Sequence, residues 1–297
     1  MLEYTSISEL CQGAQEQGVS LSQLVLADQA QQMELSPQQL LDNMQHRFTV
    51  MQEAVRAGLD PELRSTSGLT GGDAARLWRY AQSGGITGVF LNRAIARAVA
   101  VAEYNAAMGK IVAAPTAGSC GILPGTVVSM VEEERCSREA GVMALFTAGA
   151  VGMVIAQNAS IAGAQGGCQA ECGSAAAMAA AALVELKGGT PAQSAHACAI
   201  ALKNQLGLVC DPVAGLVEIP CIKRNVGGVV IAFSAAEMAL AGVESKIPVD
   251  ECIQAMRAVG DSIPCSLRET SQGGLAATPT GQAMRRAVFG KETRQEN

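Results

Sequence analysis

The sequence predicts an all-α fold, a compact helical domain with buried central helices and Gly-rich active-site loops. Three observations carry that expectation. Complete helix-start signatures stand at Ser36 and Thr190, two long segments are apolar almost all round, and the apolar-polar alternation of strands is nearly missing.

Residues 1 to about 60 are polar and Gln-rich with helical periodicity, and read as an N-terminal helical segment packed on the remainder. Inside it, Ser36-Pro37-Gln38-Gln39 supplies an N-cap, a proline at the first helical position and a capping-box glutamine. Gly58 to Gly72 reads as a connection. Between Ile86 and Met108, the residues Ile95, Ala98, Val99 and Ala102 fall at i, i+3, i+4 and i+7 while Arg93 and Arg97 lie opposite, so a helix packed on one side is expected. Glu139 to Gln157 and Glu171 to Lys187 are apolar on every face, as helices at the heart of a fold are. After a Gly188-Gly189 stop, Thr190-Pro191-Ala192-Gln193 repeats the start signature. The short apolar runs at Gly207 to Cys210 and Val226 to Phe233 are too few and too Gly-rich for a large sheet. No linker is long enough to force a second domain and no repeat is visible, so residues 1–297 read as one all-α domain.

With 49% apolar and 16% charged residues the chain is not disordered, and with 3% aromatics and 32 glycines its interior must be built from small side chains. The charge is 21 basic against 27 acidic residues, or -6, with no basic block, which excludes nucleic acid as a partner. The uncharged stretch between Glu139 and Glu171 is interrupted by Gln157, Asn158, Ser160, Gln165 and Gln169 and reads as core rather than as a membrane span. Met1-Leu2-Glu3-Tyr4 lacks the basic and then apolar order of a secretory signal, so a cytoplasmic location is expected.

Ten cysteines in an intracellular chain of this size point to metal or redox chemistry. Four segments break the helical pattern with Gly, Pro and small hydroxyl residues: 65–72, 114–121, 166–173 and 207–221. Turns of this kind expose backbone N–H groups and suit a carboxylate or phosphate, although each also reads as an ordinary interhelical turn. Cys168, Cys210 and Cys221 lie in such turns, where a thiolate is either an iron ligand or a small buried apolar group. Cys11, Cys136, Cys198, Cys252 and Cys265 read as structural, and Cys120 and Cys172 fit either role.

These segments resemble the alpha subunit of the iron-sulfur-dependent bacterial L-serine dehydratases over essentially the full chain. The resemblance lies in Ser67-Gly68-Leu69-Thr70-Gly71-Gly72, Pro115-Thr116-Ala117-Gly118-Ser119-Cys120-Gly121-Ile122 and Asn158-Ala159-Ser160-Ile161 followed by Gly167-Cys168-Gln169. It continues in Cys210-Asp211-Pro212-Val213-Ala214-Gly215, Pro220-Cys221-Ile222-Lys223-Arg224-Asn225 and Arg268-Glu269-Thr270-Ser271. It implies a 4Fe-4S cluster on Cys168, Cys210 and Cys221 with one iron left open, and conversion of L-serine to pyruvate and ammonia without pyridoxal phosphate. Cys120 and Cys172 do not map onto its ligands.

On that resemblance, Ser67, Thr116, Ala117, Gly118, Ser119 and Asn158 are the substrate-binding candidates. Lys203, beside Asn204, stands where some single-chain relatives carry histidine, which makes this pair the candidate for catalysis. Two departures from the family pattern are visible. The last cysteine, Cys265, is far from the Arg-Gln-Glu-Asn terminus, whereas single-chain relatives end in a cysteine that folds back on the cluster. Neither His46 nor His196 matches the family's Ser-Ser-His-Thr segment, so a separate beta subunit is the expected partner in a hetero-oligomer. A pyridoxal-phosphate lyase, a non-catalytic iron-sulfur carrier and an L-cysteine desulfidase of the same type are the competing readings.

Overall fold

The structure is a computed structural model that describes residues 4–290, and the readings of residues 1–3 and of the Arg-Gln-Glu-Asn terminus fall outside them. Thirteen α-helices account for most of the described residues, and there is no strand among them, so the fold is all-α.

Helices α1 (Ile7–Gln17), α2 (Leu21–Met33) and α3 (Pro37–Gly58) each begin at a serine whose Oγ accepts the backbone N–H three residues on. At Ser20 and Ser36 the side chains of Gln23 and Gln39 reach back to complete capping boxes. Such caps contribute about 1 kcal/mol each. Leu10, Ala14, Leu24, Val25, Phe48 and Met51 carry this N-terminal segment into the main core, as its periodicity predicts.

Helices α4 (Asp73–Ala81) and α5 (Gly88–Ala106) follow the 58–72 connection. The expectation that α5 packs on one side with Arg93 and Arg97 facing outward is corrected here. Arg97 is 2% exposed, its guanidinium held by Glu132, Glu133 and Ser129 and stacked 5.0 Å from the Trp78 ring centroid. Those carboxylates lie on and just after the short α6 (Ser129–Glu132), so every residue of α5 from Ala96 to Glu103 is buried, while the Arg93 side chain stays 32% exposed beside Glu133. A periodicity count treats arginine as solvent-facing because it cannot see counter-ions brought from another helix.

Helix α7 (Arg138–Asn158) is followed by the four-residue α8 (Gly163–Gly166), then α9 (Ser174–Leu186) and α10 (Pro191–Lys203), with the Thr190 capping box intact. Every residue from Ser174 to Val184 is buried, and α9 packs against α7, α10 and a further helix, α11 (Cys221–Leu240). Its alanines let these neighbours approach closely, which is how a core with few aromatics fills its volume. α7 is long and apolar enough to cross a bilayer, but 67% of that apolar window lies inside the protein. The segment read as a helix from Glu171 opens instead with a π turn, Gln169–Gly173, and the apolar run 226–233 lies inside α11. The last two helices are α12 (Val249–Ser262) and α13 (Pro279–Phe289).

Candidate active site

The Gly-rich breaks are stitched to one another by side chains. Gly167 has φ +74, and a Cβ there would stand 2.8 Å from the Leu208 carbonyl oxygen, so glycine lets loop 207–210 lie against the Cys168 turn. The wholly buried Gln169 closes the seam. Its backbone N–H donates to Leu208 O, its Oε1 accepts from Gly207 N–H, and its Nε2 donates to Met256 O, each at 2.9 Å. Cys210 is held from the other side, its N–H donating to Leu267 O at 2.8 Å and its carbonyl accepting from Glu269 N–H at 2.7 Å.

The first turn of α11 ties Cys221 to the same place. Arg224 donates to Val209 O (2.7 Å) and Asp211 Oδ1 (2.8 Å), gripping both flanks of Cys210. Asn225 Nδ2 donates to the Cys221 and Gly118 carbonyls at 3.0 and 2.8 Å, and its Oδ1 accepts Gly121 N–H at 2.8 Å. The Ala117–Ser119 turn is therefore fixed beside Cys221. The nearly buried Glu218 accepts from Ser67 Oγ (2.8 Å) and Thr70 Oγ1 (2.7 Å), which anchors loop 65–72 just before Cys221.

The floor of the site is acidic and thiol-rich. Glu171 accepts from Thr116 Oγ1 at 2.7 Å and its Oε2 lies 4.0 Å from Cys210 Sγ. Burial pushes the Glu171 carboxyl above the ordinary carboxylate range, against the lowering effect of the Thr116 hydrogen bond. Burial also pushes Cys210 up and Cys221 up to about 12, with the Cys168 and Glu171 charges adding to both. Cys168 moves down because Cys172, 3.4 Å away, hydrogen-bonds its sulfur and Arg224 faces it, while Cys172 moves up. A buried thiol pushed up needs a cation beside it to become a thiolate ligand.

The three thiols come from separate segments and feel one another's charge, although among the described residues no His, Cys, Asp and Glu group is gathered tightly enough to hold a single metal ion. Ligands of separate irons in a cluster need not meet at one point. Gly163 supports that fit, since a Cβ on it would stand 3.0 Å from Cys210 Sγ and 2.7 Å from Glu171 Oε2. Its missing side chain leaves room beside the sulfur.

Thr116, Ala117, Gly118, Ser119, Ser67, Cys168, Cys210 and Cys221 are thus linked in one constellation. Lys203, Asn204 and Asn158 are not joined to it: Lys203 Nζ donates to Ser245 Oγ, Asn204 Nδ2 to Ile200 O, and Asn158 Nδ2 to Thr5 O and Val154 O. Glu171, Gln169, Arg224, Asn225, Asp211 and Glu218 went unassigned in the sequence reading. The available signal was polar residues set inside Gly-rich helix breaks, a place where burial obliges each to find a partner.

Residues 16–276 match the family model for the serine dehydratase alpha chain. The chain belongs to the serine dehydratase alpha chain family. It is 51% identical to the probable L-serine dehydratase, alpha chain, of Bacillus subtilis (strain 168), over 97% of this chain and 96% of that one. It is 46% identical to the L-serine dehydratase, alpha chain, of Peptoniphilus asaccharolyticus, over 94% and 96%. Against L-serine dehydratase 2 of Escherichia coli (strain K12) the identity is 39% over 92% of this chain but only 61% of that longer protein. This alpha chain therefore matches only part of a longer relative, which carries a further region.

Proposed function

We propose that this alpha chain is the catalytic subunit of an L-serine ammonia-lyase that converts L-serine to pyruvate and ammonia, and that Cys168, Cys210 and Cys221 hold a 4Fe-4S cluster. The observation that carries this reading is that Gln169, Arg224 and Asn225 tie together the three separate segments that carry three buried thiols, with Gly163 leaving room beside Cys210. Bound there, the cluster supplies an open iron as Lewis acid for the departing hydroxide. No pyridoxal phosphate is invoked.

The chain's own residues orient the substrate. The hydroxyl protons of Thr116 and Ser67 are taken by Glu171 and Glu218, and because Ser67 Oγ also accepts from Leu69 N–H at 3.1 Å, Thr116 Oγ1 is the oxygen that presents a lone pair to a substrate ammonium or hydroxyl. The Ser119 N–H closes the turn onto Thr116 O at 3.3 Å, which leaves the backbone N–H groups of Ala117 and Gly118 for the substrate carboxylate. Glu171 reinforces the ammonium site by charge. Once water is eliminated, the enamine tautomerises and hydrolyses without further help from the protein. A beta chain, corresponding to the extra region of longer relatives, completes a cytoplasmic hetero-oligomer.

The deciding experiment is anaerobic reconstitution with iron and sulfide, followed by EPR or Mössbauer spectra before and after L-serine. A cluster whose unique iron responds to L-serine supports the reading. A cluster blind to serine makes the protein a carrier, and preferred turnover of L-cysteine to pyruvate and sulfide makes it a desulfidase. Lys203→Met, read for turnover and cluster absorbance together, is expected to retain near-normal activity, because Lys203 is engaged by Ser245. Lost turnover with an intact cluster would return Lys203 to the mechanism as base.

A further inference from the structure

Cys172 has no part in the mechanism above, yet it is the sulfur nearest to Cys168. The two Sγ atoms stand 3.4 Å apart across the π turn Gln169–Gly173, and both thiols are free. Cys172 is 0% exposed and Cys168 3%, so an oxidant reaches Cys168 first and meets Cys172 immediately behind it. A first thiol with a second in contact is the arrangement by which one sulfur resolves the oxidation of the other.

From this juxtaposition we infer that Cys168 and Cys172 form a reversible modification site for peroxide, closing a disulfide within the turn whenever the cluster is absent. Hydrogen peroxide oxidises the Cys168 thiol to a sulfenic acid and is itself reduced to water. The Cys172 thiol then attacks that sulfur, the S–S bond forms, the S–OH bond breaks, and a second water leaves with the remaining proton. Two thiols lose two electrons in all, and the peroxide accepts them.

The bond reopens by the route through which it forms, low-molecular-weight thiols attacking at Cys168, the more exposed of the two sulfurs. Its consequence rests on the proposed cluster: with Cys168 bound to Cys172, one of the three ligands is masked and iron cannot load, while Cys168 is spared irreversible oxidation.

The test uses the full chain, freed of iron with a chelator under argon and exposed to hydrogen peroxide. After alkylation in denaturant, trypsin releases one peptide, Glu139–Lys187, that holds Cys168 and Cys172 and no other cysteine. The expected peptide escapes alkylation and is lighter by two hydrogen atoms, and dithiothreitol restores two alkylatable thiols. In the Cys172→Ala chain, Cys168 is expected to go on to sulfinic acid instead. Two free thiols after peroxide, over-oxidised Cys168 in the unmutated chain, or a bond from Cys168 to Cys210 or Cys221 would each overturn the inference. Iron uptake before and after peroxide is read separately. If iron never loads, the cluster reading fails while the peptide still reports on the disulfide.

Discussion

Serine in place of Cys168, Cys210 or Cys221 is expected to abolish iron-sulfur loading and reduce serine turnover to background while leaving the fold in place. The exchange removes a soft thiolate ligand and changes almost no volume. All three sites are buried, Cys168 at the start of the π turn, Cys210 in a loop and Cys221 at the start of α11, and their positions are set by Gln169, Arg224 and Asn225 rather than by the sulfurs themselves. Iron and sulfide analysis after reconstitution reads the first effect, and thermal unfolding of the metal-free chain reads the second. Cys120→Ser and Cys198→Ser serve as controls. These thiols are equally buried, but Cys120 lies against the Val101 carbonyl and Cys198 against that of Ala177. Normal iron loading in the controls and none in the ligand variants would assign the cluster; loss in all five would make the effect one of folding.

Arg97→Met is expected to cost about 3–5 kcal/mol of stability, the range for breaking a buried charge set by removing one partner. Arg97 sits where α5 meets the end of α6, and its loss leaves Glu132 without a guanidinium and Glu133 with Arg93 alone to compensate its desolvation. Urea unfolding at neutral pH measures the loss, and a change under about 1 kcal/mol would show that the set is solvated like a surface pair.

The same group sets a pH dependence. Burial raises the Glu133 carboxyl, but the hydrogen bonds and charges of Arg97 and Arg93 lower it further, so its pKa lies below the ordinary value of 4.5. A carboxyl depressed in the folded state contributes stability above the unfolded pKa, and that contribution disappears as pH falls through the folded value. The stability gap between the unmutated chain and Arg97→Met should therefore shrink below pH 4.5. A gap constant from neutral pH down to strong acid would assign the effect to packing against Trp78 instead.

The helices were legible in the sequence because their signals are local. Ser36 and Thr190 with a glutamine three residues on, proline at the first helical position and a Gly-Gly stop need nothing from elsewhere in the chain, and each stands where it was read. Apolar segments without a polar face declared α7 and α9 as core on the same ground. The Gly-rich breaks were also visible as breaks, and the three cysteines stood out by lying in them.

What joins those breaks could not be read locally. Ser67 meets Glu218 across 151 positions, Thr116 meets Glu171 across 55, and Arg97 finds Glu133 across 36. A buried polar group must find a partner or lose a kilocalorie or more, about 1–3 kcal/mol, but its sequence neighbourhood does not say which partner is within reach. The sequence by itself thus determined an all-α chain and singled out the three cysteines proposed here to hold iron. Only the tertiary structure decided that Glu171, Arg224 and Asn225 order them into one site and that Lys203, Asn204 and Asn158 are bonded elsewhere, because side-chain pairing is settled by packing in three dimensions.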